Sequence, residues 1–240
     1  MIARLTRDQT HLRHAVARLH RDELPESDGA HLGQAFLFHF VYGALLDDPR
    51  YHCYVYLHEQ EPAGFTAFST DYQAVYKRGA RRHFPLLSWV LTKAVLQQPE
   101  RLKLLLKISR FASAMDKEAY AEIPTEILST AVAKPFRTLA FFQRTGVRIA
   151  NALYSNTARV LLDEGVTQLK GFTRKSNVLV NATISHLGWK KVFEGTHPRG
   201  RGEEQTCIWL WDLKEAEKRL DLSRATAQPM PLGAATMDRA

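Results

Sequence analysis

The densest chemistry in this 240-residue chain lies in six residues, Gln143-Arg144-Thr145-Gly146-Val147-Arg148. They follow an apolar, strand-like run over residues 127–132. They precede a stretch in which Val147, Ala150, Leu153, Tyr154, Ala158, Leu161 and Leu162 recur at helical spacing. Read together, the six residues head a long helix. The first backbone N–H groups of a helix have no intrahelical acceptor, and the helix dipole leaves partial positive charge there. A glycine lets the backbone approach an anion, and two arginines add charge. The chemistry on offer is the binding of a phosphate or diphosphate. The same pattern also suits an ordinary surface helix start whose glycine only turns the chain, and spacing alone leaves both open.

The elements that would position this turn run from Glu122 to Trp189. After the strand and the helix come a second strand pattern, Thr167 to Thr173, and a short helix pattern, Ser176 to Leu187, closed by Gly188-Trp189. Strand, anion-ready turn, helix, strand, helix is the order that a site for a phosphorylated carrier needs. Upstream, Met1 to Leu5 reads as a strand. Gln9 to Arg21 reads as an amphipathic helix with its basic residues outward, and His31 to Leu46 as a second, strongly apolar helix. Tyr51 to Leu57 and Ala63 to Ser69 form a hairpin around a Glu-Gln-Glu-Pro turn. Residues 71–121 form a basic insert with helices expected at Phe84 to Gln97 and Glu100 to Phe111, separated at Pro99. Downstream, Lys190 to Glu194 and Thr206 to Asp212 read as strands and Lys214 to Leu222 as a closing helix. Residues 223–240 read as a frayed, disordered tail.

Composition allows one substantial domain: 45% of residues are hydrophobic and 24% charged. The formal net charge of +8 points to an anionic partner. The surplus is concentrated. Lys77, Arg78, Arg81, Arg82, Lys93, Arg101, Lys103, Lys107 and Arg110 are opposed in their segment by Glu100 alone. A nucleic acid, a membrane surface, an acidic substrate and a merely solvated face all fit such a segment. Cys53 and Cys207 lie in strand-like runs without metal-ligand spacing, which fits packed, reduced thiols and a cytoplasmic setting. The first residues lack the apolar core of a signal peptide.

The stretch from Ala131 to Trp189 resembles the GNAT family of acetyl-coenzyme A-dependent acetyltransferases. Ala131-Val132 close the apolar strand, Gln143-x-x-Gly146-x-Arg148 stands where the family has [Q/R]-x-x-G-x-[G/A], and Asn177 precedes Gly188-Trp189 at the family's spacing. The resemblance covers the second half of the chain and reaches the first half in outline. It implies an α/β fold with a mixed, mostly antiparallel sheet flanked by helices and interrupted by the helical insert, one domain over residues 1–222. It implies acetyl-CoA or another acyl-CoA as the acyl donor. Its diphosphate would lie on Gln143, Arg144, Thr145, Gly146, Val147 and Arg148, its pantetheine arm and acyl carbonyl on backbone amides of Ala131 and Val132, with Asn177 completing the contacts. Arg148 departs from the small residue usual at its position, and the loop from Ala133 to Phe142 is longer than the common form.

Acyl transfer to an amine requires a base, stabilisation of the oxyanion and departure of the thiolate. Glu126, at the start of the strand, is the candidate base and Glu122 the reserve; a solvated carboxylate at a strand start is the plainer reading. Asn177, Asn181 and Ile184 fall on one stripe at i, i+4 and i+7. In the family the third position commonly carries a tyrosine that protonates the thiolate, and Ile184 has no proton to give. Ser185 sits at the edge of that stripe, and His186 is expected to pack on the opposite face. Three functions stay open: an N-acyltransferase acting on a small-molecule or protein amine, an acyl-CoA-binding module without catalysis, and a basic protein that docks on an anionic surface.

Overall fold

In a computed structural model of the chain, which describes residues 1–106, 122–196 and 205–219, one mixed sheet organises the molecule. Its strands are β1 (Ile2–Arg4), β2 (Tyr51–His58), β3 (Glu61–Ser69), β4 (Glu126–Val132), β5 (Gln168–Arg174), β6 (Lys190–Thr196) and β7 (Gln205–Asp212). The spatial order is β1-β2-β3-β4-β5-β7-β6. Neighbours run antiparallel except β4 and β5, which are parallel. The expected mostly antiparallel α/β architecture is therefore present. The hairpin turn is tighter than the sequence indicated. Glu59 and Gln60 alone make it, both at positive φ (52° and 70°), as a two-residue turn demands. Glu61 and Pro62 already belong to β3.

Each sheet face carries its own core. On one side, Leu37, Phe40, Leu45, Phe65 and Ala67 pack with Val16 and Ala17 of α1 (Thr10–Glu23). The chain then passes through α2 (Asp28–Leu32) and α3 (Gln34–Phe36). On the other side, Phe68, Leu169, Trp189, Trp209 and Trp211 meet Tyr154, Ala158 and Leu161.

The single helix expected over His31 to Leu46 is broken. Gly33 turns the backbone at φ 99°, a region L side chains rarely enter. Beyond α3 the helix loosens into a π-type turn in which Tyr42 N–H reaches Leu37 O at 2.7 Å. A Cβ at Gly43 would stand 2.3 Å from His39 O, so only glycine lets the chain fold back there. The wide turn carries Tyr42 into the core, where it is fully buried. The basic residues of α1 are not all outward either. Arg13 is buried and donates to Tyr42 O (2.5 Å), Arg7 O (2.8 Å) and Phe38 O (3.1 Å).

The insert contains α4 (Tyr72–Arg82), which the sequence reading passed over, and α5 (Phe84–Gln97) with the expected bounds. Asp71 caps α4 by accepting from Ala74 N–H at 3.1 Å. Residues 101–106 are helical, while the remainder of the helix expected over Glu100 to Phe111 lies outside the described residues, as does the expected tail. The stretch from Ala133 to Phe142, expected as loop, holds a short 3₁₀ turn, Lys134–Phe136, and the start of α6 (Leu139–Thr145). Thereafter come α7 (Ile149–Asp163), α8 (Val178–His186) and α9 (Leu213–Arg219).

Candidate functional site

Between the parallel strands the sheet opens. β4 and β5 pair only at Glu126↔Lys170 and Ile127↔Gly171, whereas β4 stays in register with β3 as far as Gly64↔Val132. From Leu128 onward the β5 side of β4 is an unpaired edge. Ala133 N–H donates to Ala63 O at 2.9 Å, and strand alternation then directs the Ala131 amide to β3 as well. The amides of Thr130 and Val132 point into the gap. In agreement, Val132 O turns away from β3 and accepts from Arg137 Nε at 2.5 Å. Of the two backbone positions named from the sequence, Val132 faces the opening and Ala131 is committed to the sheet.

At the carboxyl end of β4 stands the head of α7, one residue range later than its sequence pattern placed it. Gln143, Arg144 and Thr145 belong to α6, and Gly146 is that helix's left-handed cap at φ 68°. Gly146 N–H is spent on Phe142 O at 2.7 Å, and Val147 N–H on Thr145 Oγ1 at 3.2 Å. The first α7 bond is Ala152 N–H to Arg148 O at 3.1 Å. Among the described residues the amides of Arg148, Ile149, Ala150 and Asn151 have no acceptor. They are the four orphan donors of a helix start. The head is not walled off, since Gly146 and Arg148 are exposed and a Cβ at Gly146 would meet nothing within 4 Å. Ile149 anchors it from below, buried against Ala63, Val132 and Phe141. Arg144 and Arg148 lie over the rings of Phe141 (5.9 Å) and Phe142 (4.9 Å), which holds two cations beside the open amides.

Glu126 sits where β4 and β5 are still joined. It is 2% exposed, unlike the exposed reserve candidate Glu122. Ile127 packs on the α7 face, so Glu126 projects to the α1 face. Lys170 alternates in the same way with Leu169, so opposite charges in register share that face. A buried carboxylate at the closed end of a splayed strand pair can take a proton from a group in the gap, or neutralise its register partner.

The connection between α1 and α2 spans the mouth of the gap. Glu23 accepts from Arg137 and, at 3.1 Å, from Lys134 N–H on the β4 side, while Arg174 at the end of β5 donates to Glu26 O at 2.9 Å. A buried polar chain missed by the sequence reading runs beneath it. Ser27 Oγ lies 2.7 Å from His20 Nε2, His20 Nδ1 lies 2.5 Å from Tyr42 OH, and Tyr42 OH lies 3.5 Å from Ser129 Oγ on the open stretch of β4. Burial pushes the His20 pKa down to about 4 and raises that of Tyr42 well above 10. The imidazole is neutral and the phenol protonated at neutral pH. The available signal was that His20 falls with Val16 and Ala17 on the inner side of α1.

On the β5 side, Asn177 is the cap of α8 and accepts from Val180 N–H at 3.3 Å; its side chain is exposed. Asn181 accepts from Thr173 Oγ1 at 2.5 Å and donates to Arg174 O and Lys175 O, pinning α8 to the end of β5. Ile184 is buried among Trp189, Trp209 and Trp211. Ser185 is exposed, and His186, expected to pack, is exposed as well, as is neighbouring Leu179. The reason is that α8 rests on the sheet through Ile184 and Leu187, leaving its outer face bare. Exposed Leu139, Val178 and Leu179 thus belong to helices at the carboxyl ends of the two parallel strands, where open α/β sheets hold ligands.

No family model matches the sequence, and no curated protein matches it. Solved structures match the fold. An N-acetyltransferase from Staphylococcus aureus Mu50 superposes with a TM-score of 0.54 at 10% identity, over 89% of this chain and 98% of that one. A Desulfovibrio desulfuricans protein described as a GNAT-family acetyltransferase gives 0.50 at 13%, over 89% and 98%. A Bacillus anthracis protein described as a streptothricin acetyltransferase, solved with acetyl coenzyme A, overlaps less: 70% of this chain and 65% of that one, with a TM-score of 0.41 and 11% identity.

Proposed function

From a chain that has the GNAT acetyltransferase fold, we propose an acyl-CoA-dependent N-acyltransferase that modifies an amine. The observation that carries the proposal is the parting of β4 and β5 with the open head of α7 at its mouth. A thioester carrier has a diphosphate for the head and an amide-bearing arm for the free edge. The residues fit it. Arg148, Ile149, Ala150 and Asn151 offer four amides, Arg144 and Arg148 the charge, and Val132 and Thr130 edge donors. Gln143, Thr145, Gly146 and Val147 shape the turn that presents these groups, and Asn177 and Asn181 hold the far wall. When bound, acyl-CoA supplies an activated acyl group. Glu126 accepts the proton of the amine. Val132 N–H, fixed by the bond from Arg137 to its own carbonyl, orients the acyl carbonyl without reorganising.

Titration calorimetry with acetyl-CoA tests the grip. Arg144→Glu and Arg148→Glu are each expected to weaken binding about tenfold or more, the worth of a charge-assisted bond. The absence of binding at millimolar acetyl-CoA would end the proposal. A second reading, an acyl-CoA-binding module without turnover, is favoured by Ile184, which is buried and has no proton for the thiolate. A thiol has a pKa of about 8.5 and leaves without help, so the missing acid slows transfer without forbidding it. Release of free thiol from acetyl-CoA with a panel of amines separates the readings: release supports transfer, and binding without release supports the module.

A further inference from the structure

We propose that α5 docks this protein on an anionic membrane surface. The helix is apolar on both sides. Val90 and Ala94 face inward and are buried, yet Pro85, Trp89, Thr92 and Leu96, at i, i+4, i+7 and i+11, form one outward stripe, all exposed. Trp89 is 51% and Leu96 78% exposed, and Phe84 at the helix start is 65% exposed. Large apolar side chains left on the solvent side of a helix mark contact with another apolar surface, because water penalises the uncovered side. Leu102, beyond Pro99, is a further exposed apolar side chain at 51%.

The charges around the stripe determine what covers it. Lys77, Arg81 and Arg82 of α4, Lys93 of α5 and Lys103 are exposed, and Glu100 is the one carboxylate between residues 72 and 106. Lys93 lies 5.3 Å from the centre of the Trp89 ring. That pairing suits the interface, where an indole sits at headgroup level and a long cationic side chain reaches the phosphates. A nucleic acid would complement the cations and leave Phe84, Trp89 and Leu96 in water. No helix among the described residues is long and apolar enough to cross a membrane. The geometry is that of a helix lying in the interface plane.

Trp89 supplies the readout, because Trp189, Trp209 and Trp211 are buried. The full chain is titrated with vesicles of phosphatidylcholine alone and of phosphatidylcholine with about a third phosphatidylserine, following tryptophan emission and co-sedimentation. A blue shift with the anionic vesicles is expected, at least about tenfold tighter than with neutral ones and weakened by salt. Leu96→Glu is expected to abolish both signals, and Arg81→Glu with Lys93→Glu to reduce anionic binding about tenfold or more. Trp89→Phe is expected to remove the shift while retaining sedimentation. Unchanged circular dichroism and thermal melting of the variants serve as the folding control. The proposal is overturned if neither vesicle binds, if both bind equally, or if Leu96→Glu binds as before. It is also overturned if the stripe proves to be a self-association surface, with Leu96→Glu converting a dimer to monomer and vesicles remaining unbound. Binding of duplex DNA in place of vesicles would overturn it as well.

Discussion

On the proposed acyl transfer with Glu126 as base, Glu126→Gln is expected to lower turnover by about 10² to 10⁴ while acetyl-CoA affinity stays essentially unchanged, the loss typical of removing a general base. The expectation rests on place. Glu126 lies at the joined end of β4 and β5, at the start of β4, whereas the head of α7 stands at the strand's other end. A glutamine keeps the shape of the side chain but removes its basicity and its charge, and turns one acceptor oxygen into a donor. The competing role is structural: Lys170 is its buried register partner of opposite charge, and breaking a buried pair by removing one partner costs about 3–5 kcal/mol.

The two roles separate in the double variant Glu126→Gln/Lys170→Met. If Glu126 serves only to neutralise Lys170, removing both charges restores stability and, with it, activity. If Glu126 takes the proton, the double variant melts near the parent temperature and stays inactive. Steady-state kinetics with a reactive amine, beside thermal melts of the parent, single and double proteins, decides the matter. Full activity in the folded double variant would remove Glu126 from the chemistry.

Much of the frame was legible because it depends on local period. The hairpin, β4, β5 and α5 announce themselves through alternating or helical apolar residues, and β4 followed by a basic glycine turn marks the helix head to within three residues. What stayed hidden depends on partners distant in sequence. The orphan amides begin at Arg148 because Gly146 is spent capping α6, and α6 itself, seven residues long, is too short for periodicity to show. The helix from His31 to Leu46 has a continuous apolar pattern, yet Gly33 and Gly43 break it so that Tyr42 can meet His20. Edge amides are invisible in the same way. Ala131 and Val132 differ only in which neighbour each faces, and that is set by the register with β3.

Folding stability is expected to fall steeply as the pH drops from 6.5 to 4, chiefly through His20. An unfolded histidine titrates near 6.5, whereas burial holds His20 neutral in the fold until about pH 4. In that window the unfolded chain binds a proton that the folded chain refuses, so acid favours unfolding. Above 6.5 the contribution is complete; below 4 both states are protonated and no further loss occurs. A shift of this size corresponds to about 3 kcal/mol, most of it gone by pH 4.5. His52 is buried too and held at about 4, with burial the larger cause and Arg4 the smaller. It is expected to add less, because Glu164 Oε1 lies 3.4 Å from its Nε2 and favours the charged ring. Urea unfolding midpoints measured between pH 7.5 and 4.5 report the slope. His20→Gln lowers stability at neutral pH, since the chain from Ser27 to Tyr42 loses its middle, but it should flatten the slope, because no proton is left to take up. An unaltered slope in that variant would show that acid acts elsewhere and that His20 is charged within the fold. That result would also undo the reading of Tyr42 and Ser129 as the end of a neutral chain reaching the open stretch of β4.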